Sequence, residues 1–401
     1  MRLRYKAITR DNKIIRGLVD ASDITEAASY LRGKNLVPIT VVQETKNNIL
    51  NNLPFLGKIK ESDLIIFTRQ LSSMLSSGLT LIRSLEILKE QVGNEVMLEA
   101  TENIITDIEE GKTFSSAISK FPDIFSPIYV SIIKSAEGAG LLDKALLRLA
   151  ENLEKQAKLK GTIKAALTYP IIVVVLMVVV IFIMMTFVIP QLANLYKGLG
   201  VELPLPTQII IAVSGFFVVF WPFVIGLAAL SVFLYRRWYK TEAGRLIIDD
   251  LKLKLPVFGN LIKKVILTEL SRTLGALVGS GSLVVDSLVQ TSDTVGNIHY
   301  KNAIMDVAKK VENGVTIGDA MSYYSLFPPL LVQLVKVGEQ TGKLDETLLK
   351  ASEYFEGETD QLVKTLTTAL EPLIMVTLGV GVAFLMISVI TPIYSLISSI
   401  K

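Results

Sequence analysis

Two stretches of this chain are copies of one another, and each copy leads a charged, helix-periodic sequence into an uncharged apolar span, over residues 62–197 and again over 265–401. Phe67-Thr68-Arg69-Gln70-Leu71 and Ser77-Gly78 return 203 residues later as Leu270-Ser271-Arg272-Thr273-Leu274 and Ser280-Gly281. Gly111-Lys112-Thr113 keeps that offset to Gly314-Val315-Thr316. After one deleted residue, Glu137-Gly138-Ala139-Gly140-Leu141-Leu142-Asp143 matches Glu339-Gln340-Thr341-Gly342-Lys343-Leu344-Asp345. Tyr169-Pro170 then matches Glu371-Pro372, and Pro190 matches Pro392. A copy of this length exceeds the unit of a solenoid, so the chain is a duplication of domain-sized modules.

The apolar stretches decide the environment. No charge occurs from Ala165 to Tyr196, from Leu203 to Tyr235, or from Pro372 to Ile400. A helix rising about 1.5 Å per residue needs roughly 20 residues to cross the hydrocarbon, and each run suffices. Membrane helices are expected over 170–190, 208–235 and 372–397. Basic residues set the orientation. Lys155, Lys158, Lys160 and Lys164 precede the first span, and Arg236, Arg237, Lys240 and Arg245 follow the second, so both flanks are expected in the cytoplasm. The connection over 191–207 carries one base, Lys197, and faces outward, as does the C-terminus. The second span has no counterpart in the duplication; it returns the chain so that both copies enter the membrane in the same direction. Met1 to Lys13 is charged and lacks the apolar core of a signal peptide, which predicts a cytoplasmic N-terminus.

The rest is expected to be mainly α-helical. Residues 1–45 read as a small ββαβ segment, with Ser22 or Asp23 capping its helix, and 46–61 as a linker. Residues 62–165 and 265–368 read as homologous six-helix cytoplasmic bundles, joined through a basic connector over 236–264. In the first, Leu64, Phe67, Leu71, Met74 and Leu75 share a helical face, and helices are expected over 80–91, 94–110, 113–119, 126–137 and 141–160. Ser126-Pro127 is a start signal, since Ser caps free amides and Pro fits the first turn.

The chemistry available is limited. The chain has no Cys and one His, His299, which excludes disulfides, thiolate clusters and imidazole-rich metal sites and leaves only an all-oxygen cation site open. No phosphate-binding loop occurs, because Gly279-x-Gly281 lacks the lysine such a loop needs. No cofactor and no catalytic residue is expected, and a net charge of +3 with bases gathered at membrane edges argues against nucleic acid.

The sharpest polar motif is the repeated Glu-x-x-Gly-x-Leu-Asp. Gly140 and Gly342 suit a left-handed turn between helices, and Asp143 and Asp345 fall in the first turn of the next helix, where negative charge meets exposed amides. Glu137 and Glu339 either hold that corner or contact a partner or cation. Arg69 and Arg272 stand at matching positions on apolar helices, for an ion pair within the chain or a contact between modules or subunits. Glu371 is expected at the mouth of the third span, capping it beside Pro372, where the first copy has Tyr169 and Pro170.

Phe67-Thr68-Arg69-Gln70-Leu71, Ser77-Gly78, Glu137-x-x-Gly140-x-Leu142, Tyr169-Pro170, Leu203-Pro204-x-Pro206-Thr207 and Glu371-Pro372 together resemble the inner-membrane platform family of type II secretion and type IV pilus machines, over essentially the whole chain. The resemblance implies a polytopic, non-enzymatic, oligomeric protein of the bacterial inner membrane. Its implied partners are a cytoplasmic hexameric assembly ATPase, pilins or pseudopilins, and other inner-membrane assembly proteins. The Phe-Thr-Arg-Gln-Leu wording leans towards the pilus branch. Ala136 departs from the glycine common before this glutamate in the family, whereas Gly338 keeps it. A transporter would need polar groups within its spans, where only Thr186, Ser214, Ser388 and similar residues occur, and a membrane sensor would need an external ligand domain that the short outer connection cannot supply.

Overall fold

The computed structural model describes the chain except residues 1, 9–13, 22, 35, 44–58, 192, 193, 195–197, 199–204, 257, 400 and 401. The linker up to residue 58 and most of the connection over 191–207 therefore lie outside the described residues.

In the N-terminal unit, β1 (Arg2–Ile8) is the central strand of a sheet ordered β2-β1-β3, with β2 (Ile14–Asp20) and β3 (Val37–Gln43) both antiparallel to it. Helix α1 (Ile24–Gly33) is capped by Asp23, whose Oδ1 accepts from the Glu26 amide at 2.6 Å. Alternation along the strands puts Leu3 and Val19 in the core, where they pack against Ala27.

The remainder is helical. The first copy comprises α2 (Glu61–Ser76), α3 (Leu81–Gln91), α4 (Glu95–Glu109), α5 (Phe114–Ile118), α6 (Pro127–Ala139) and α7 (Leu142–Ile183). Short side chains start these helices: Thr80, Thr113 and Ser126 each accept from the amide three residues on, and Pro127 follows Ser126 as expected. Phe67, Leu71, Leu85, Phe114, Phe125, Tyr129 and Ile133 are buried, with the Phe67, Phe125 and Tyr129 rings in tilted contact. Helix α8 (Leu205–Tyr239) follows, then α9 (Glu242–Lys254) in the region expected to be a plain connector. The second copy repeats the order: α10 (Phe258–Gly279), α11 (Val284–Thr294), α12 (Ile298–Glu312), α13 (Ile317–Ser322), α14 (Pro329–Thr341) and α15 (Leu344–Ser399). Its core gathers Leu270, Leu288, Tyr300, Ile304, Phe327, Leu348 and Phe355.

In each copy the last charged helix and the apolar stretch form one continuous helix. Helix α7 runs unbroken through Pro170, and α15 through Pro372 and Pro392. A proline is tolerated there because the apolar stretch offers the backbone no partner but the helix itself. Past α7, a π turn at Met184–Val188 precedes Pro190. Long apolar side chains such as Ile172, Leu176, Val376 and Val380 stand exposed on these helices, and two of them, Leu142–Gln191 and Leu344–Ala383, are long and apolar enough to cross a membrane.

Candidate functional site

The repeated glutamate is folded back onto the start of a short helix. Glu137 accepts from the amides of Phe114 (2.5 Å) and Ser115 (3.0 Å) and from the Ser115 hydroxyl (2.7 Å), at the N-terminus of α5. In the second copy Glu339 accepts from the amides of Ile317 (2.6 Å) and Gly318 (2.8 Å), at the N-terminus of α13. Thr113 and Thr316 cap the same helices from the other side. Each carboxylate thus satisfies amides that a helix start leaves without partners, and it does so where the dipole favours negative charge. Both oxygens of both side chains are engaged within the chain, which supports the corner-holding reading over a partner or cation contact.

The glycines take the expected turn. Gly140 and Gly342 both sit at φ +68°, and the chain reverses through the same pair of bonds in each copy. Leu141 and Lys343 donate to the carbonyls of Ala136 and Gly338 at 2.9 Å, and the two glycine amides donate to Glu137 and Glu339. Asp143 and Asp345 open the following helices. The copies differ one residue before the glutamate. A Cβ on Gly338 would stand 2.2 Å from Thr347 Oγ1 and 2.9 Å from Leu344 Cα, whereas Ala136 is accommodated in the buried face of α6.

The arginines are clamps between the first and last helices of each copy. Arg69 meets Glu154 through two bonds, Nε to Oε1 at 2.8 Å and Nη2 to Oε2 at 2.5 Å, and Arg272 meets Glu356 through Nη2 at 2.5 Å. Their partners stand 202 residues apart and escaped sequence reasoning; that matching offset was the available signal. The Arg272 pair is buried and the Arg69 pair is more than a third exposed. Burial draws the Arg272 guanidinium below its ordinary range, opposed by the charge of Glu356. The bond to Glu154 raises Arg69 instead.

The copies meet along α7 and α15. Ser135 and Ser282 hydroxyls lie 3.2 Å apart, Arg148 donates to the Gly279 carbonyl, and Lys155 pairs with Glu353 at 2.9 Å. Two cavities of about 280 Å³ open between them, one lined by Tyr129, Asn152, Gln156, Glu269 and Arg272, the other by Lys144, Arg148, Ala276 and Gly279. Desolvation pushes the half-buried Glu269 carboxyl above the usual carboxylate range, partly offset by Lys160 and Gln156.

Glu371 departs from expectation. It lies well inside α15, where no free amides exist for it to cap, and Tyr169 with Pro170 lies equally inside α7. Neither is brought to the corners or the clamps. A further carboxylate, Asp249 on α9, was not singled out from sequence. It accepts from the Ile298 amide (3.1 Å), the Tyr239 hydroxyl (3.0 Å) and Lys252 (2.9 Å). Burial alone would raise it, but these donors together hold it below its ordinary value. Among the described residues no group of three acidic or imidazole side chains is arranged to hold a metal.

The type II secretion system (T2SS), protein F family model matches the chain twice, over residues 67–190 and 270–392, and the N-terminal domain of the same proteins matches residues 4–42. The two matches coincide with the two copies. The type IV pilus assembly protein PilC of Thermus thermophilus is 37% identical, over 99% of this chain and 98% of its own length. PilC of Myxococcus xanthus is 32% identical, over 99% of this chain and 95% of its own. The type II secretion system protein F of Xanthomonas campestris is 30% identical, over 99% of both. Matched twice by this family model and covered nearly end to end by these relatives, the chain belongs to the type II secretion system protein F family.

Proposed function

We propose that the chain is a three-span platform on which a cytoplasmic hexameric ATPase acts to move pilin subunits out of the inner membrane into a growing fibre. Family membership makes it an inner-membrane platform protein of pilus assembly or type II secretion, non-catalytic in kind. The observation that carries the proposal is the unbroken helix in each copy, α7 and α15, which joins clamped, charged helices to an apolar span without a flexible joint. In this reading α2–α7 and α10–α15 form two cytoplasmic bundles, and α8 is the return span. The N-terminus is cytoplasmic and the C-terminus external in this reading, which the basic flanks at 155–164 and 236–245 support. The platform acts as an oligomer with further inner-membrane assembly proteins, and the corner and clamp residues set the shape of its cytoplasmic surface.

The higher identity to PilC proteins than to the secretion proteins favours a pilus client. The test is deletion of the gene and complementation, scored by surface pili and by secreted protein, with cross-linking in native membranes to identify neighbours. Loss of pili with intact secretion, and capture of a hexameric ATPase with pilins, is the expected result. Loss of secretion alone overturns the branch. Normal fibres and secretion, with solute-uptake or signalling partners captured instead, overturn the platform.

A further inference from the structure

Helix α9 has two sides of different kind. Its inner side is fixed to the second copy: Asp249 holds the Ile298 amide at the start of α12, Asn297 Nδ2 donates to the Asp249 carbonyl, and His299 Nε2 lies 3.1 Å from the Leu246 carbonyl oxygen. Ile248 and Leu253 are buried on that side. On the outer side Ala243, Ile247, Leu251 and Leu255 follow one another at four-residue spacing, so they form one stripe. Ile247 and Leu251 leave 58% and 60% of their surfaces open, and Leu246 and Leu255 flank them. An apolar stripe of this kind, turned away from its own core, has a partner other than the bundle.

The chain reaches this stripe directly from α8. That helix ends in exposed Tyr235 and Trp238, side chains suited to the boundary between lipid and water, among the exposed bases Arg236, Arg237 and Lys240. The stripe begins within a few residues of that boundary and carries the exposed Arg245 beside it.

We propose that α9 lies in the plane of the inner leaflet, with the Ile247 and Leu251 stripe between headgroups and acyl chains and the neighbouring bases on anionic headgroups. The proposal rests on the three-span reading given above, in which α7 crosses the membrane and α8 returns. A second copy or a protein partner fits the apolar stripe equally well by shape, but only the bilayer accounts for its adjacency to an aromatic and basic span end. Because Asp249 joins α9 to α12, the bilayer surface then fixes the height and tilt of the second copy.

The natural absence of cysteine allows a direct test. Ile247→Cys and Leu251→Cys are prepared in the full chain, labelled with an environment-sensitive fluorophore, and reconstituted in vesicles containing phosphatidylglycerol and nitroxide lipids with shallow or deep labels. Val175→Cys in α7 reports the span, and Tyr323→Cys, on the exposed turn after α13, reports water. The expected result is loss of fluorescence at 247 and 251 to the shallow nitroxide more than to the deep one. That loss shrinks when phosphatidylcholine replaces the anionic lipid; at 175 the deep nitroxide quenches, and at 323 neither does. Absence of quenching at 247 and 251 with quenching at 175 retained overturns the proposal and leaves the spanning reading intact. Probes at 247 and 251 shielded from both nitroxides and aqueous iodide also overturn it, since protein then covers the stripe. Absence of quenching at 175 as well removes the spanning reading and the proposal together.

Discussion

Arg272 and Glu356 are held 2.5 Å apart with only 6% and 16% of their side chains exposed, while the equivalent pair in the first copy, Arg69 and Glu154, is 37% and 41% exposed. The same two helices are joined by the same chemistry in two dielectric settings. Breaking a buried pair strands a charge, at a cost of about 3–5 kcal/mol, whereas an exposed pair contributes about 0.2–1 kcal/mol. Glu356→Gln is therefore expected to lower the unfolding temperature of the purified chain far more than Glu154→Gln. Replacing Arg272 and Glu356 together by Met and Leu should recover most of that loss. Thermal unfolding in one detergent for all three variants decides it; equal shifts for the two single variants would contradict the burial argument.

Glu339 closes the N-terminus of α13 through two amides, so Glu339→Ala leaves both without an acceptor on a part-buried surface. The expected destabilisation is about 1–3 kcal/mol. Hydrogen exchange should accelerate at the amides of Ile317 and Gly318 before it does elsewhere in the second copy. Unchanged protection there would show that the carboxylate is dispensable to the corner.

Gly338→Ala drives a methyl against the Thr347 hydroxyl and the Leu344 backbone. Overpacking of this kind costs about 1–3 kcal/mol, and backbone cannot move aside as a flexible side chain can. Ala136→Gly in the first copy relieves no clash and is expected to produce a smaller effect. Comparing the two unfolding temperatures tests whether the corners differ as their sequences do.

Two carboxylates give opposite pH dependence. The folded state depresses the Asp249 value, so Asp249 contributes stability above its unfolded value of about 3.9 and loses it as pH falls through the lower folded value. The folded state raises the Glu269 value, so its contribution is full below about 4.3 and is lost as pH rises through the raised folded value. Glu269→Gln should therefore be more stable than the natural chain at neutral pH, with the gain disappearing in acid. Asp249→Asn should be less stable at neutral pH, with the difference shrinking only in strong acid. Unfolding temperatures across the pH range read both slopes.

The duplication made much of the site legible, because a residue seen twice at one offset is distinguished from its neighbours. Glu137, Gly140 and Asp143 stood out in this way beside Glu339, Gly342 and Asp345. The offset also linked Gly111-Lys112-Thr113 to Gly314-Val315-Thr316, but nothing in a linear pattern says that these loops lie under the glutamates, since that contact is made by the return of α6 and α14. Glu154 and Glu356 sit in strongly charged helix faces, where a clamp looks like any solvated carboxylate until the opposing arginine is in place. Asp249 was hidden for a related reason: it stands among the bases of the connector, and its burial against α12 is a tertiary fact. Pro170 and Pro372 lie inside continuous helices, a placement the linear pattern does not announce, because proline ends a helix in water more readily than in a stretch where the backbone has no other partner.

The absence of a break in α15 sets a mechanical scale. At about 1.5 Å per residue, its 56 residues make a strut of roughly 84 Å. A strut of that length, tied near its start to α10 by Arg272 and Glu356, joins Leu344 to Ser399 in one helix that Pro372 and Pro392 do not interrupt. A rotation or tilt imposed on its charged half displaces its apolar half as well, because a single continuous helix joins the two.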